Sequence, residues 1–277
     1  MSMLQKMQNI DVRYIYLLAW LFVLAPLISP MGLPVSIGAD STKWKAYIDK
    51  IPDGSTIVLA PMYGASGIPE LLPMTVATMH QLWQKNVKVY VVSFWTDGPL
   101  VFNIALGQAP PESYGKKYGV DWINLGYIPG GETAMSNFGK DIVNSVPLDY
   151  MNRKPVTDYA IMANIKTAAD INYIITIETG TPGLPEWLRQ WQEPFKTKII
   201  GGCIGVSVPS FAPYLNSGQL GAIMPGATAS AEYEKILNKP GLGLASTDAI
   251  TMSHILVLLL VALGNVAYFG AKMGGKK

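Results

Sequence analysis

The fold of this chain is decided by residues 55–94, which read STIVLAPMYGASGIPELLPMTVATMHQLWQKNVKVYVVSF. The runs 55–61 and 88–94 are rich in β-branched and apolar residues and are too short for helices, so each predicts a strand. Between them, residues 70–86 place apolar side chains at helical spacing. The stretch therefore predicts one right-handed strand–helix–strand unit.

The same alternation continues towards the carboxyl terminus. The further predicted strands are residues 120–127, 172–178, 197–206 and 219–225. The further predicted helices are residues 44–51, 98–107, 132–145, 157–169, 185–192, 210–218 and 230–238. Six strands that alternate with helices predict an α/β domain over residues 38–248, with a doubly wound, largely parallel, Rossmann-like sheet.

An uncharged stretch, ITMSHILVLLLVALGNVAYFGA (250–271), follows the domain. At about 1.5 Å per residue it is long enough to cross a hydrocarbon layer of about 30 Å, so it predicts a transmembrane helix. His254 and Asn265 share one face of that helix, and polar side chains within a span usually face another helix. We predict that both contact the first apolar helix or a second copy. For His254 the alternative is a position at the membrane interface.

A second uncharged stretch, residues 14–36, opens with interfacial aromatics such as Tyr14 and Trp20 and predicts the first transmembrane helix. The alternative is a cleaved signal peptide, although the apolar run exceeds the usual signal-peptide core of about 7–15 residues. Pro26 and Pro30 are expected to kink or end this helix.

Basic residues flank both predicted spans. The tails, residues 1–13 and 272–277, hold five Lys or Arg residues and one Asp. The positive-inside rule places both tails in the cytoplasm and the domain 38–248 outside, whereas three lysines between residues 43 and 50 argue against this orientation. The prediction is a two-span protein of the cell membrane, in contact with the lipid bilayer. The middle domain is mildly acidic, so nucleic acid is not an expected partner.

Glycines accompany anionic or hydroxyl residues just past several predicted strands, where open α/β sheets bind ligands. A ligand site there would use Ser66, Asp97, Glu132, Thr133, Glu178 and Thr181. Three of these are carboxylates, which could also hold a hard cation. The alternative is that the glycines serve only the tight turns between strands and helices.

The motifs of common enzyme classes are missing. Residues 64–67 fit neither a dinucleotide fingerprint nor a phosphate-binding loop. Residues 205–209 read GVSVP and lack the second glycine of a nucleophile elbow, and His254 lies in the predicted span. Two histidines and one cysteine do not make a zinc site, and Cys203 is expected to be a small buried side chain. No catalytic residue, metal or cofactor is assigned.

Four stretches resemble an uncharacterised prokaryotic two-span membrane protein family, known only as a domain of unknown function. They are NLGY with PGGE (124–132), PYLNSGQL (213–220), AEYE (231–234) and the span HILVLLLVALGN (254–265). The resemblance covers most of residues 50–268. It implies no activity, so no catalytic residue is carried over.

Two functions are consistent with these features. The first is a non-catalytic integral membrane protein whose α/β domain mediates assembly, as a homo-oligomer or as a scaffold subunit of a larger membrane complex. Its basis is the lack of catalytic motifs, the low charge, and the tryptophans at 83, 187 and 191, which are expected to be exposed. The alternative is a membrane-anchored ligand-binding or enzymatic domain that uses the loops at the strand carboxyl ends.

Overall fold

The computed structural model describes residues 10–274, with side chains up to residue 270. The predicted tails, 1–13 and 272–277, lie partly outside this range. The chain divides into two units: residues 35–243 form one, and the chain before residue 35 together with the chain after residue 243 forms the other. The α/β unit therefore ends a few residues before the predicted boundary at 248.

Residues 35–243 fold around one six-stranded sheet. Its strands are β1 (Thr56–Met62), β2 (Lys88–Ser93), β3 (Trp122–Tyr127), β4 (Tyr173–Glu178), β5 (Lys198–Cys203) and β6 (Leu220–Pro225). All neighbours pair in parallel, in the order β3-β2-β1-β4-β5-β6. This is the order of doubly wound nucleotide-binding folds, in which the topology reverses between β1 and β4. The predicted parallel, Rossmann-like sheet is confirmed.

Helices connect the strands. Those of the α/β unit are α2 (Ala39–Asp49), α3 (Ile68–Trp83), α4 (Gly98–Gln108), α5 (Gly131–Lys140), α6 (Ile142–Ser145), α7 (Leu184–Trp187), α8 (Glu193–Phe195), α9 (Val208–Asn216) and α10 (Gly226–Ile236). The other unit contains α1 (Val12–Ile28) and most of α11 (Leu242–Gly274). A π-helical turn, Leu188–Gln192, joins α7 to α8.

The sheet buries both of its faces. Ile57 and Leu59 of β1 enter one apolar cluster, whereas Val58 and Ala60 enter the other. Successive strand residues point to opposite faces, so two clusters require helices on both sides of the sheet. This burial explains why the strands read as short continuous apolar runs. Polar side chains are thereby directed to the ends of the strands.

The helix predicted over residues 157–169 is wrong. This stretch instead contains three 3₁₀ turns, Val156–Asp158, Ala160–Met162 and Ala168–Asp170. Its backbone groups bond elsewhere: the N–H of Ile161 donates to the carbonyl of Gly119 at 3.0 Å. Local side-chain bonds, such as those of the capping box that opens the last turn, also compete with a continuous helix.

The three tryptophans that were expected to be exposed are buried, so that part of the sequence argument for an interface is wrong. Trp83, Trp187 and Trp191 are each at most 2% exposed. The indole N–H groups of Trp83 and Trp191 donate to the carbonyls of Ala109 and Met135, both at 3.0 Å. Because each N–H has an internal acceptor, burial leaves no donor unpaired.

Two carboxylates of α10 hold the ends of the α/β unit. Glu232 accepts hydrogen bonds from the N–H of Gly38 at 2.9 Å and from the hydroxyl of Ser41 at 2.6 Å, where α2 begins. Glu234 accepts from the N–H groups of Gly241 and Gly243, each at 3.0 Å, where α11 begins. Carboxylates at helix amino termini satisfy free N–H groups and oppose the helix dipole. One short helix therefore fixes both the entry and the exit of this unit.

The first apolar helix is shorter than predicted. The expected range was 14–36, but α1 ends at Ile28. Pro30 lacks an N–H and disfavours helical backbone at Ser29, which is extended with φ −137° and ψ 93°. The expected termination between Pro26 and Pro30 is confirmed.

The second apolar helix is longer than predicted. It begins at Leu242 rather than at residue 250, and Leu242–Gly270 is, among the described residues, the one helix long and apolar enough to cross a membrane. The Asp248 carboxylate, which is fully buried, accepts from the N–H groups of residues 31, 32 and 33 at 2.7–3.0 Å. This contact satisfies backbone groups that follow α1.

His254 and Asn265 are both exposed on α11. The amide of Asn265 donates to the carbonyl of Val261 in its own helix at 2.9 Å. Leu256 and Ala267 are buried, and they lie about 200° around the helix from the two polar residues. The described part of the chain therefore covers the face with Leu256 and Ala267. Contact of the face with His254 and Asn265 with a second copy stays a prediction.

Candidate functional site

The six residues predicted to form a ligand site all lie at the carboxyl ends of strands. They are Ser66 after β1, Asp97 after β2, Glu132 and Thr133 after β3, and Glu178 and Thr181 at and after the end of β4. Ser66, Asp97, Thr133 and Thr181 are exposed, Glu132 is half-buried and Glu178 is buried. They all lie at this end of the strands, but the structure brings only some of them together.

The turns after β1, β2 and β4 lie against one another where the topology reverses. A Cβ atom added at Gly64 would collide with the Asp97 carboxylate, and one at Gly67 would lie 2.7 Å from the Thr179 methyl group. The indole N–H of Trp95 donates to a carbonyl in the turn after β4 at 3.1 Å. Close approach of the turns therefore leaves no room for a side chain at these two positions.

Glu178 is the buried member of the set, with 2% exposure. Its Oε2 accepts from the hydroxyl of Thr176 at 3.2 Å, and its Oε1 has no hydrogen-bond partner among the described residues. Burial raises the pKa of its carboxyl to about 8, despite the opposing effects of the Leu184 N–H and the Thr176 hydroxyl. The strand register places it between Met62 and Cys203. A protonated carboxyl can donate or accept a hydrogen bond at this position.

Glu132 is engaged in an ion pair. The Arg189 guanidinium donates to both carboxylate oxygens of Glu132 at 3.0 and 3.1 Å, and to Glu186 at 2.8 Å. Gln190 donates a further hydrogen bond to Glu132 at 2.9 Å. Arg189 and Gln190 hold the pKa of Glu132 below its usual value. This network links α5 to the helical stretch after β4, so Glu132 has a structural role.

A second candidate site, which the sequence did not predict, surrounds Asp149. This carboxylate is fully buried and accepts five hydrogen bonds. The donors are the hydroxyls of Tyr118 and Tyr159 and the backbone N–H groups of Met151, Asn152 and Lys154, at 2.7–3.0 Å. Burial opposes ionisation, but the donated hydrogen bonds, led by that of the Asn152 N–H, hold the pKa of Asp149 below its usual value.

These bonds fix a loop along the outer edge of the sheet. Leu148 and Pro155 form an antiparallel bridge across the loop, and the N–H of Tyr150 donates to the carbonyl of Asn124 in β3 at 2.9 Å. β3 is an edge strand, and an uncovered edge is a template for pairing with another chain. The loop covers part of that edge and presents its own side chains instead.

Those side chains form a surface that is apolar, aromatic and cationic. We name it the β3-edge surface, and its residues are Asn103, Tyr127, Leu148, Tyr150, Met151 and Arg153. It contains two depressions, of about 250 and 400 Å³, which share Tyr150 and Arg153. Arg153 has left-handed backbone, with φ 56°, and pairs with no carboxylate of the described residues.

The remaining candidate groups offer little chemistry. Cys203 is buried, as expected, and burial raises the pKa of its thiol to about 12, so the reactive thiolate is disfavoured. Among residues 10–270, no three His, Cys, Asp or Glu side chains are grouped to hold a metal ion. Comparisons with protein-family models, with curated proteins and with solved structures find no match to this chain.

Proposed function

We propose that this chain is a non-catalytic membrane protein whose α/β unit assembles, with copies of itself or with other membrane subunits, through the β3-edge surface. The observation that carries the proposal is the loop around Asp149. Five hydrogen bonds to one buried carboxylate hold this loop in place, while Tyr150, Met151 and Arg153 remain exposed.

The composition and rigidity of this surface both favour a protein partner. Tyrosine, methionine and arginine are enriched in protein interfaces and supply much of the binding energy. A loop that is already ordered loses little conformational entropy on binding, so more of the contact energy appears as affinity. Arg153 also has left-handed backbone, which is unfavourable for a residue with a side chain.

Membrane anchoring is the second part of the proposal. α11 supplies one span, and we propose that α1, with 17 residues, supplies another at the lower limit of span length. The basic residues beside both helices favour cytoplasmic termini and an extracytoplasmic α/β unit. The resemblance to a two-span membrane family of unknown function agrees with this arrangement.

The particle size of the full-length protein in mild detergent tests the proposal. We expect native mass spectrometry to find an assembly, either of copies or with co-purifying subunits. The double variant Tyr150→Asp, Met151→Asp should dissociate it. A matched control, Val206→Asp, changes an 84% exposed apolar residue elsewhere and should leave the assembly intact. Single chains at every concentration, without co-purifying subunits, would refute the proposal.

A second candidate function is small-ligand binding at the reversal between β1 and β4, and Glu178 favours it. A buried side-chain oxygen without a partner is unusual, and it lies where doubly wound sheets bind ligands. A ligand with a hydrogen-bonding group would raise the melting temperature of the protein. Asp97→Asn and Glu178→Gln should abolish that rise, and an unchanged rise in both variants would remove this candidate.

A further inference from the structure

A cavity at the amino ends of the strands has the features of an anion site. It measures about 330 Å³ and lies at the amino ends of β1, β4 and β5. Three polar residues in its wall, Ser55, Asn172 and Thr197, each directly precede one of these strands. The cavity is thus separate from both the turns around Glu178 and the β3-edge surface. Its size falls within the range of small-molecule sites.

The charges in the cavity wall have one sign. Lys196 and Lys198 line the cavity, and no carboxylate is among the lining residues. Neither ammonium group makes an ion pair within the described residues, and that of Lys198 lies 5.4 Å from the ring centre of Tyr173. A concave wall with two unpaired cations attracts negatively charged ligands.

Thr197 and Asn172 offer free donors, whereas the Ser55 hydroxyl already donates to the carbonyl of Pro52 at 2.7 Å. Thr197 is 2% exposed, and its hydroxyl has no hydrogen-bond partner among the described residues. A buried hydroxyl without a partner is destabilising unless something else satisfies it. Asn172 Oδ1 already accepts from the N–H and hydroxyl of Thr56 at 2.9 and 3.0 Å, which leaves its Nδ2 as the available group. Tyr173 and Phe195 add aromatic walls.

We propose that this cavity binds a phosphate group, carried by a small soluble molecule or by a lipid headgroup. The donors are the two ammonium groups of Lys196 and Lys198, the amide of Asn172 and the hydroxyl of Thr197. Four donor groups exceed the two oxygens of a carboxylate and suit the several acceptor oxygens of a phosphate. The aromatic walls and the volume leave room for the part of the molecule that carries the phosphate.

Calorimetric titration of the full-length protein in detergent with inorganic phosphate tests the proposal. The site variant is Lys196→Asn with Lys198→Gln, because asparagine tolerates the left-handed backbone at position 196. Its expected affinity is at least about tenfold lower, since the charge-assisted hydrogen bonds from both ammonium groups are lost. Thr197→Val removes only the buried hydroxyl and should weaken binding by a smaller factor.

The control variant is Lys43→Gln with Lys117→Gln, which removes the same charge from two exposed positions outside the cavity wall. It should bind phosphate like the wild type. Absence of binding by the wild type, or equal weakening in the site and control variants, would overturn the proposal. A parallel titration with a short-chain phosphatidic acid identifies the source: tighter binding than inorganic phosphate indicates a lipid headgroup, and equal or weaker binding indicates a soluble phosphate.

Discussion

Two buried carboxylates, Asp149 beside the sheet edge and Glu178 at the topological reversal, differ in their state of ionisation. Asp149 accepts five hydrogen bonds and its pKa is lowered, whereas Glu178 accepts one from the hydroxyl of Thr176 and its pKa is raised to about 8. Burial opposes ionisation at both positions. The number of donors therefore decides the charge, and the ionised group is the one that organises a surface loop.

Removal of the Asp149 carboxylate should have the largest effect. Asp149→Ala leaves five donors without their acceptor, so we expect the free energy of unfolding to fall by about 3–4 kcal/mol. The thermal unfolding of the full-length protein in detergent, followed by tryptophan fluorescence, measures this loss. Assembly through the β3-edge surface should be lost with it.

Two further variants make that test specific to the buried group. Asp149→Asn keeps one acceptor oxygen but introduces an amide among donors, so its loss should be smaller than that of the alanine variant. Asp141→Ala removes an exposed carboxylate that caps α6 through Asn144, so its loss should be only about 1 kcal/mol. Equal effects at positions 141 and 149 would show that the buried network does not stabilise the loop.

Replacement of Glu178 should alter the pH dependence of stability. Because the folded pKa is raised to about 8, the folded protein binds a proton that the unfolded chain releases near pH 4.3. The wild type therefore loses stability between about pH 4.3 and 8. Glu178→Gln has no such proton to lose, so its stability relative to that of the wild type should rise by about 3–4 kcal/mol between pH 5 and pH 8.

Melting temperatures of both proteins from pH 5 to pH 8.5 measure this difference. The opposite sign applies to Asp149: its stabilisation is present above the unfolded pKa of about 3.9 and is lost as the pH falls through its lower folded pKa. If the melting temperatures of the two proteins change in parallel across this pH range, Glu178 is ionised in the folded protein and the contrast between the two carboxylates fails.

The ion pair at Glu132 should have an intermediate effect. Arg189→Ala removes a bidentate contact that is partly exposed to solvent, so a loss of about 1 kcal/mol is expected. A double-mutant cycle with Glu132→Gln separates the pair from the bond between Arg189 and Glu186. A coupling energy near zero would show that screening by water cancels the bidentate geometry.

The sequence predicted the sheet well because its strands are continuous apolar runs. All six runs became strands. Residues such as Ile57 and Val58 are buried on opposite faces of the sheet, so a strand does not have to alternate apolar with polar residues to be recognised. The termination of α1 near Pro30 was also predictable, because proline acts through local geometry. The stretch 157–169 was not, because its backbone bonds to residues distant in sequence, such as Gly119.

The candidate sites were harder to predict, because they depend on contacts between distant segments. The run PLDYMNRKP (147–155) shows a Tyr and a Met near an Arg between prolines, which is a composition typical of binding loops. Nothing in it shows that Tyr118 and Tyr159 donate to Asp149. Likewise, Glu132 and Glu178 were both placed at the correct edge, but only the fold shows that Arg189 pairs with one of them.

The smallest expected effect on stability is at Arg153, and it separates binding from folding. Glycine at this position relieves left-handed backbone, which is unfavourable by about 1–2 kcal/mol, but it also increases the entropy of the unfolded chain by about 0.5–1 kcal/mol. Arg153→Gly should therefore melt within about 1 kcal/mol of the wild type while it loses the guanidinium. Arg153→Lys keeps the charge and the strained backbone.

If the β3-edge surface binds a partner through that guanidinium, the glycine variant should dissociate the assembly although its melting temperature is unchanged. The lysine variant should retain only part of the assembly, because lysine keeps the charge but lacks the planar fork of donors. Native mass spectrometry of both variants beside their melting curves measures the two properties together. Intact assembly in Arg153→Gly would place the binding energy in Tyr150 and Met151 alone. A fall in melting temperature that matches the loss of assembly would mean instead that Arg153, like Asp149, acts by holding the loop.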